Sequence, residues 1–323
     1  MRNYSIDILK CLCAVLVVFL HTNCMYSDWI KPITRCAVPC FFMISGLFIY
    51  DSDFFKSEAK IKRSLKKIFR IFIWSTLLFA VVKESVNFIQ GRGFFIPSLS
   101  ELCNFVLFNA NPFGGHLWYI SAYIYVLLIV YVINKYRFWN VLFYIFPFLL
   151  ITDLVFGKYS LFFWGREFSF LYLRNFLFVG LPYFALGAWI SAKSIHIKRK
   201  YKLILWGVIF VVISLVEREF LVFIDKNPIR DHYLSTTGLS VCLLLLFLEM
   251  KQDKPNFLSK IGKEDSLYIY VLHPLFIYYF FPIINDIIVS DIWNSIYAYA
   301  APFLILTTSL LCVRFLRVAR ILP

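Results

Sequence analysis

Long apolar runs alternate with short polar linkers along the whole chain. A membrane-crossing helix needs about 20 mostly apolar residues. Ten stretches meet that need, some loosely: 6–24, 33–50, 68–89, 117–134, 138–156, 171–192, 203–220, 234–250, 266–284 and 296–313. The pattern predicts an all-α, polytopic integral membrane protein of about ten transmembrane helices, with 1–323 forming a single transmembrane domain. The first run does not read as a cleaved signal peptide, because Asp7 and Lys10 lie inside it and no small-residue cleavage site follows. The longest outer linker, 90–116, contains Leu99–Phe108 with apolar residues near helical spacing, bounded by Pro97 and Pro112. That segment is expected to lie along the outer interface or to re-enter the membrane.

Composition agrees with the pattern. Hydrophobic residues make up 61% of the 323, aromatics 20% and charged residues only 16%. A soluble domain is about 45–50% apolar and 25% charged, and one core of this size would not hide the excess. An ordinary cytosolic protein, a disordered chain and a collagen-like fibre are excluded. The formal charge of +14 would suit nucleic acid in a soluble protein, but here basic residues fix orientation, and no nucleic-acid partner is expected. Counted over alternate linkers, Lys and Arg number 22 on the side of the two termini and 7 on the other. The asymmetry predicts both termini in the cytoplasm. The basic run Lys56–Arg70 would sit on anionic membrane lipid.

The eight Cys form no CxxC and no Cys–His pair of zinc spacing, so no metal site is expected. Most read as small apolar fillers. Cys24, Cys36 and Cys40 lie near one another and would pair in part if their side of the membrane is oxidising.

Ionisable residues inside apolar spans are costly and mark candidate sites. Asp7, Lys10 and His21 fall on one face of the first helix, since eleven steps of about 100° return within roughly 20° of the start. Asp7 and Lys10 pair at i,i+3. Lys10 otherwise snorkels to the inner interface, and His21 otherwise serves as an interfacial histidine; the functional alternative for His21 is an imidazole that takes a proton. Arg35 opens the second span at the level of His21, as an interface anchor or as a cation beside an anion or carbonyl oxygen. Pro39 is expected to kink that span, and Ser45-Gly46 to admit a closely packed helix. Gly114-Gly-His116-Leu-Trp118-Tyr119 opens the fourth span, where Trp118 and Tyr119 also fit an interfacial aromatic belt. His273 precedes Pro274 in mid-membrane, as a proton relay or as a structural hydrogen bond to a neighbour.

Together these segments resemble the membrane-bound acyltransferase type 3 family. The resemblance rests on Asp7 with Lys10, ten residues and His21; on Arg35-Cys-Ala-Val-Pro-Cys-Phe-Phe-Met-Ile-Ser-Gly46; on His116-Leu-Trp-Tyr119; on Leu181-Pro-Tyr-Phe-Ala-Leu-Gly187; and on Ser266-Leu-Tyr-Ile-Tyr-Val-Leu-His-Pro274. It covers nearly the whole chain and is nearest the short form, like the O-acetyltransferases of enterobacterial common antigen and exopolysaccharides. The family's basic residue before the histidine is often Arg; Lys10 keeps the charge and loses the planar fork.

The resemblance implies O-acyl transfer, usually of acetyl, from cytoplasmic acetyl-CoA as donor to a hydroxyl of a cell-surface glycan or its lipid-linked precursor, in the cell inner (plasma) membrane. It implies His21 as general base or transient acyl carrier, with Arg35 and His116 stabilising the oxyanion or orienting the glycan. Lys10, oriented by Asp7, would hold donor phosphates, and Trp118, Ser45 and His273 would contact the substrate. A transporter or flippase of a lipid-linked or polymeric sugar is the alternative, with gating at Pro39, Pro182 and Pro274. A third reading is a membrane assembly component without a site of its own.

Overall fold

A computed structural model describes residues 3–224, 226 and 232–323. Arg2 and Arg230, both counted in the charge asymmetry, lie outside the described residues. Among the described residues every regular element is helical. In chain order they are α1 (Tyr4–His21), α2 (Ser27–Thr34), α3 (Ala37–Ile49), α4 (Phe54–Ile89), α5 (Leu99–Phe108), α6 (Trp118–Lys135), α7 (Trp139–Asp153), α8 (Ser160–Phe163), α9 (Phe170–Leu173), α10 (Leu181–Ala192), α11 (Lys200–Phe223), α12 (Thr236–Met250), α13 (Phe257–Glu264), α14 (Ser266–Leu275), α15 (Phe281–Ile287) and α16 (Asp291–Val318). A 3₁₀ turn at Gly115–Leu117 leads into α6, and π-helical turns occupy Leu154–Lys158, Phe176–Gly180 and Phe276–Phe280.

Among the described residues, six stretches are long and apolar enough to cross a membrane: Tyr4–His21, Ser27–Ile49, Gly115–Lys135, Trp139–Lys158, Ser266–Ile287 and Asp291–Val318. Each overlaps a predicted span. The other four predicted spans are also helical, with differences that have local causes. Span 68–89 is the second half of α4, a helix of 36 residues and therefore about 54 Å long at 1.5 Å per residue. Its basic first half, read from sequence as a linker, continues the same rod. Asp53 starts it by accepting from the N–H groups of Phe55 and Lys56 at 2.9 and 3.3 Å. Span 171–192 is broken. The Asn175 side chain accepts from the Leu177 and Phe178 N–H groups, ending α9 and opening a π-helical turn before α10.

The kink expected at Pro39 lies earlier. The chain breaks at Arg35–Cys36, between α2 and α3. Pro39 falls in the first turn of α3, where its missing N–H had no helical acceptor to lose.

The chain divides into two compact units. The first holds residues 1–44, 161–165 and 196–322. In it α1 runs through the centre, against α2, α12, α13, α14 and α16, and Leu9, Cys13, Val17 and Val18 are wholly buried. The second unit holds residues 45–160 and 166–195 with Pro323. There α4 packs on α6 and α7 on α10. Gly46 lies directly on the Phe184 carbonyl, so a Cβ there would overlap backbone; the close helix approach expected of Ser45-Gly46 is present.

Candidate active site

The first unit gathers most of the polar residues that the sequence singled out. α1 begins and ends for local reasons. Asn3 caps its start, with Oδ1 accepting from the Ser5 N–H at 3.0 Å and Nδ2 donating to the Leu248 carbonyl at 3.1 Å. At the far end the N–H and hydroxyl of Thr22 both donate to the Val18 carbonyl, at 3.0 and 2.8 Å. The helix therefore stops at His21.

Lys10 Nζ donates to Asp7 Oδ1 at 3.1 Å. The Asp7 side chain is only 4% exposed and that of Lys10 27%. Such a pair adds little stability by itself. α13 and α14 then follow α1 along its length. Gly262 lies against the Asp7 carbonyl, so closely that a Cβ would collide with it. Asp265, fully buried, is held by Arg314 at 2.8 Å and Arg317 at 2.7 Å, both from α16. Burial pushes its carboxyl above the usual range, and the two guanidiniums pull it back. Further along, His273 lies wholly buried with its ring centroid 5.4 Å from that of His21. His21 is half-exposed. Asp7 and His21 thus meet the same pair of helices, as their spacing on one face requires.

Arg35 terminates α2 and is half-buried. Its cation, with Arg218, Glu217 and Asp28, makes up the charged surroundings of the Tyr233 hydroxyl. Tyr233 is 1% exposed, and burial raises its hydroxyl above the usual phenol range against the pull of Arg35.

The remaining candidates belong to the second unit. His116 sits in the 3₁₀ turn before α6, half-exposed, its ring edge-on to Phe79 at 4.4 Å between centroids. Gly114 leaves room for that ring, since a Cβ there would stand 3.0 Å from His116 Cε1. Trp118 opens α6, and its carbonyl accepts from Asn109 Nδ2 at 3.3 Å. The Asn109 Oδ1 in turn accepts from the Phe176 N–H at 3.0 Å. Ser45 is a hydrogen-bond partner of Tyr123.

Sequence reasoning missed three features. Gly262 and Tyr233 gave no local signal, because their roles come from segments distant in the chain. The Arg314–Arg317 pair did give one: spacing i,i+3 puts both on one face of α16. All eight cysteines, Cys24, Cys36 and Cys40 included, are free thiols, and Cys40 Sγ donates to the Ser240 carbonyl at 3.8 Å. Among the described residues no three or more His, Cys, Asp or Glu side chains are grouped to hold a metal ion.

Comparison with known proteins adds to this geometry. A family profile described as an acyltransferase domain matches residues 3–316. The serine/alanine racemase of Enterococcus gallinarum is 29% identical over 135 residues, which are 38% of this chain and 18% of that protein. The amino-acid racemase of Enterococcus faecalis is 26% identical over 301 residues, 85% of this chain and 41% of that protein. The chain thus spans less than half the length of either relative. No solved structure matches.

Proposed function

The chain belongs to the acyltransferase type 3 family, and from that premise we propose that it is a membrane acyltransferase moving an acyl group, in the simplest case acetyl, from cytoplasmic acyl-CoA to a hydroxyl of a cell-surface glycan or its lipid-linked precursor. It works in the cell inner (plasma) membrane, crossing about ten times with both ends in the cytoplasm. The charge asymmetry of the linkers supports that orientation.

One observation carries the proposal. A single helix holds the Asp7–Lys10 ion pair near one end and a half-exposed imidazole, His21, at the other. The eleven steps from Lys10 to His21 rise about 16 Å, so a cation suited to donor phosphates and a base suited to a hydroxyl occupy opposite ends of one rod. The acceptor oxygen attacks the thioester carbonyl carbon while His21 takes its proton. The C–O bond forms, the C–S bond breaks, and the departing thiolate takes the proton back from the imidazolium. Arg35 stabilises the oxyanion of the tetrahedral intermediate.

The test is mass spectrometry of surface glycans from cells with and without the gene. Loss of an acetyl increment, restored by the wild type and not by His21→Ala, is expected. With purified protein, His21→Ala lowers turnover by about 10²–10⁴-fold; near-normal turnover would remove His21 from the mechanism.

A second reading, a transporter or flippase of a lipid-linked or polymeric sugar, is favoured by the π-helical turns at Leu154–Lys158, Phe176–Gly180 and Phe276–Phe280, a feature common at functional breaks in helices. It predicts glycan that crosses the membrane chemically unchanged, which the same spectra separate from acylation. The racemase names belong to proteins of which this chain matches less than half, and we propose no racemisation for it.

A further inference from the structure

The environment of His273 contains an instruction about its protons. Pro274 has no N–H, so the carbonyl four residues before it, that of Tyr270, loses its helical donor. The neighbouring imidazole turns back onto this stretch of backbone. Its Nδ1 lies 3.2 Å from the Ile269 carbonyl, and the Tyr270 carbonyl is a second backbone partner of the same side chain. A carbonyl accepts and never donates. The neutral ring must therefore carry its hydrogen on Nδ1 and its lone pair on Nε2. The His-Pro dipeptide selects the tautomer: proline frees an acceptor, and histidine supplies the N–H.

That lone pair belongs to a ring buried beside His21, centroid to centroid 5.4 Å, with planes 36° apart. Two imidazoles at this separation are within reach of an N–H···N bond of about 3 Å. Catalytic hydrogen bonds commonly tighten only when substrate is bound.

We propose that His273 is a positioning residue for acyl transfer, its Nε2 accepting the ring N–H of His21 during the reaction. This rests on the function proposed above. The bond turns the other nitrogen of His21, with its lone pair, toward the acceptor hydroxyl, and it steadies the imidazolium formed when that proton is taken. His273 stays neutral throughout; the proton remains on His21 until the departing thiolate collects it. A neutral acceptor suits a wholly buried position, where a carboxylate in the same role would carry a large desolvation cost.

The experiment uses the full chain reconstituted in lipid, with acyl-CoA as donor. His273→Ala lowers kcat by about 10²-fold with KM for the donor within about 2-fold of wild type, and His273→Gln, whose amide oxygen supplies an acceptor, recovers at least about a tenth of wild-type kcat. In parallel, nitrogen NMR of histidine-labelled protein, assigned by the signals lost in His273→Gln, shows Nδ1 protonated and Nε2 bare. A raised KM with unchanged kcat in His273→Ala would make His273 a substrate contact and overturn the proposal. So would a Gln variant no better than Ala, or a spectrum with the hydrogen on Nε2. A wild-type protein that transfers no acyl group sinks the proposed function and this role with it, while the spectrum still decides the tautomer by itself.

Discussion

Position 262 shows how much the site depends on one absent side chain. Gly262 rests on the Asp7 carbonyl and near the Cys11 backbone nitrogen, which a Cβ would approach to 2.9 Å. Backbone cannot step aside as a flexible side-chain tip can. Gly262→Ala is therefore expected to cost about 1–3 kcal/mol through overpacking, and to weaken the Asp7–Lys10 pair by moving α13 off α1. Gly207 in α11 is the control, because its nearest obstacle to a Cβ, the Cys242 Cβ, is 4.0 Å away. Gly207→Ala should be neutral or stabilising by up to about 1 kcal/mol, since alanine forms helix better than glycine. Thermal unfolding of the purified variants compares the two; equal effects would refute the packing argument. The same contrast explains what could be read from sequence. Asp7, Lys10 and His21 share a helix, and helical periodicity alone places them. Gly262, Tyr233 and the Asp265–Arg314–Arg317 cluster work through residues tens to hundreds of positions away, and no local pattern encodes such pairings.

Among elements, α5 is the one whose boundaries the sequence stated most plainly. The segment Leu99–Phe108 between Pro97 and Pro112 is a helix over those residues. Its start is a reciprocal cap: the Glu101 N–H donates to Ser98 Oγ at 3.3 Å, and Glu101 Oε2 accepts from the Ser98 N–H and hydroxyl, each at 2.8 Å. Replacing Ser98 by Ala should cost the helix about 1 kcal/mol. Acid should act in the same direction. The Ser98 N–H and hydroxyl hold the Glu101 carboxyl below its ordinary range. A depressed folded value means that the cap's contribution is present above the unfolded pKa, about 4.3 for Glu, and is lost as pH falls through the folded one. Hydrogen exchange of the first-turn amides, corrected for intrinsic rates, should be faster at pH 3 than at pH 7 in the wild type and nearly pH-independent in Glu101→Gln, which has no carboxyl group to titrate. Elements whose apolar signal was diluted were read less well. The first half of α4 carries so many Lys and Arg that hydropathy hid its helix, although length and the Asp53 cap continue it. The break between α2 and α3 at Arg35–Cys36 left no mark in the sequence pattern, because apolar periodicity does not register a two-residue turn.

For the whole molecule, orientation in the membrane is the property most open to a direct trial. The charge asymmetry predicts the basic segment Lys56–Arg70 in the cytoplasm and the segment containing α5 on the far side. Nature supplies a reporter on that segment. Cys103 in α5 is exposed, while Cys24 and Cys312 are half-buried and the other five cysteines are buried. A membrane-impermeant maleimide added to intact cells whose outer barrier has been opened should label Cys103, and Cys103→Ser should abolish most of the signal. In the Cys103→Ser background, Lys60→Cys places a thiol in the first half of α4, where Lys60 now pairs with Asp51 at 3.0 Å on the protein surface. That thiol should label only after the inner membrane is made permeable. The two results together require an odd number of crossings between residues 60 and 103, which the single apolar stretch at the end of α4 provides. Labelling of both sites from outside would remove the crossing between them, and labelling of Lys60→Cys alone would invert the chain. Inversion would also carry the Asp7–Lys10 end of α1 away from the compartment that holds acyl-CoA. The donor assignment would then fail on topology alone, whatever the chemistry of His21.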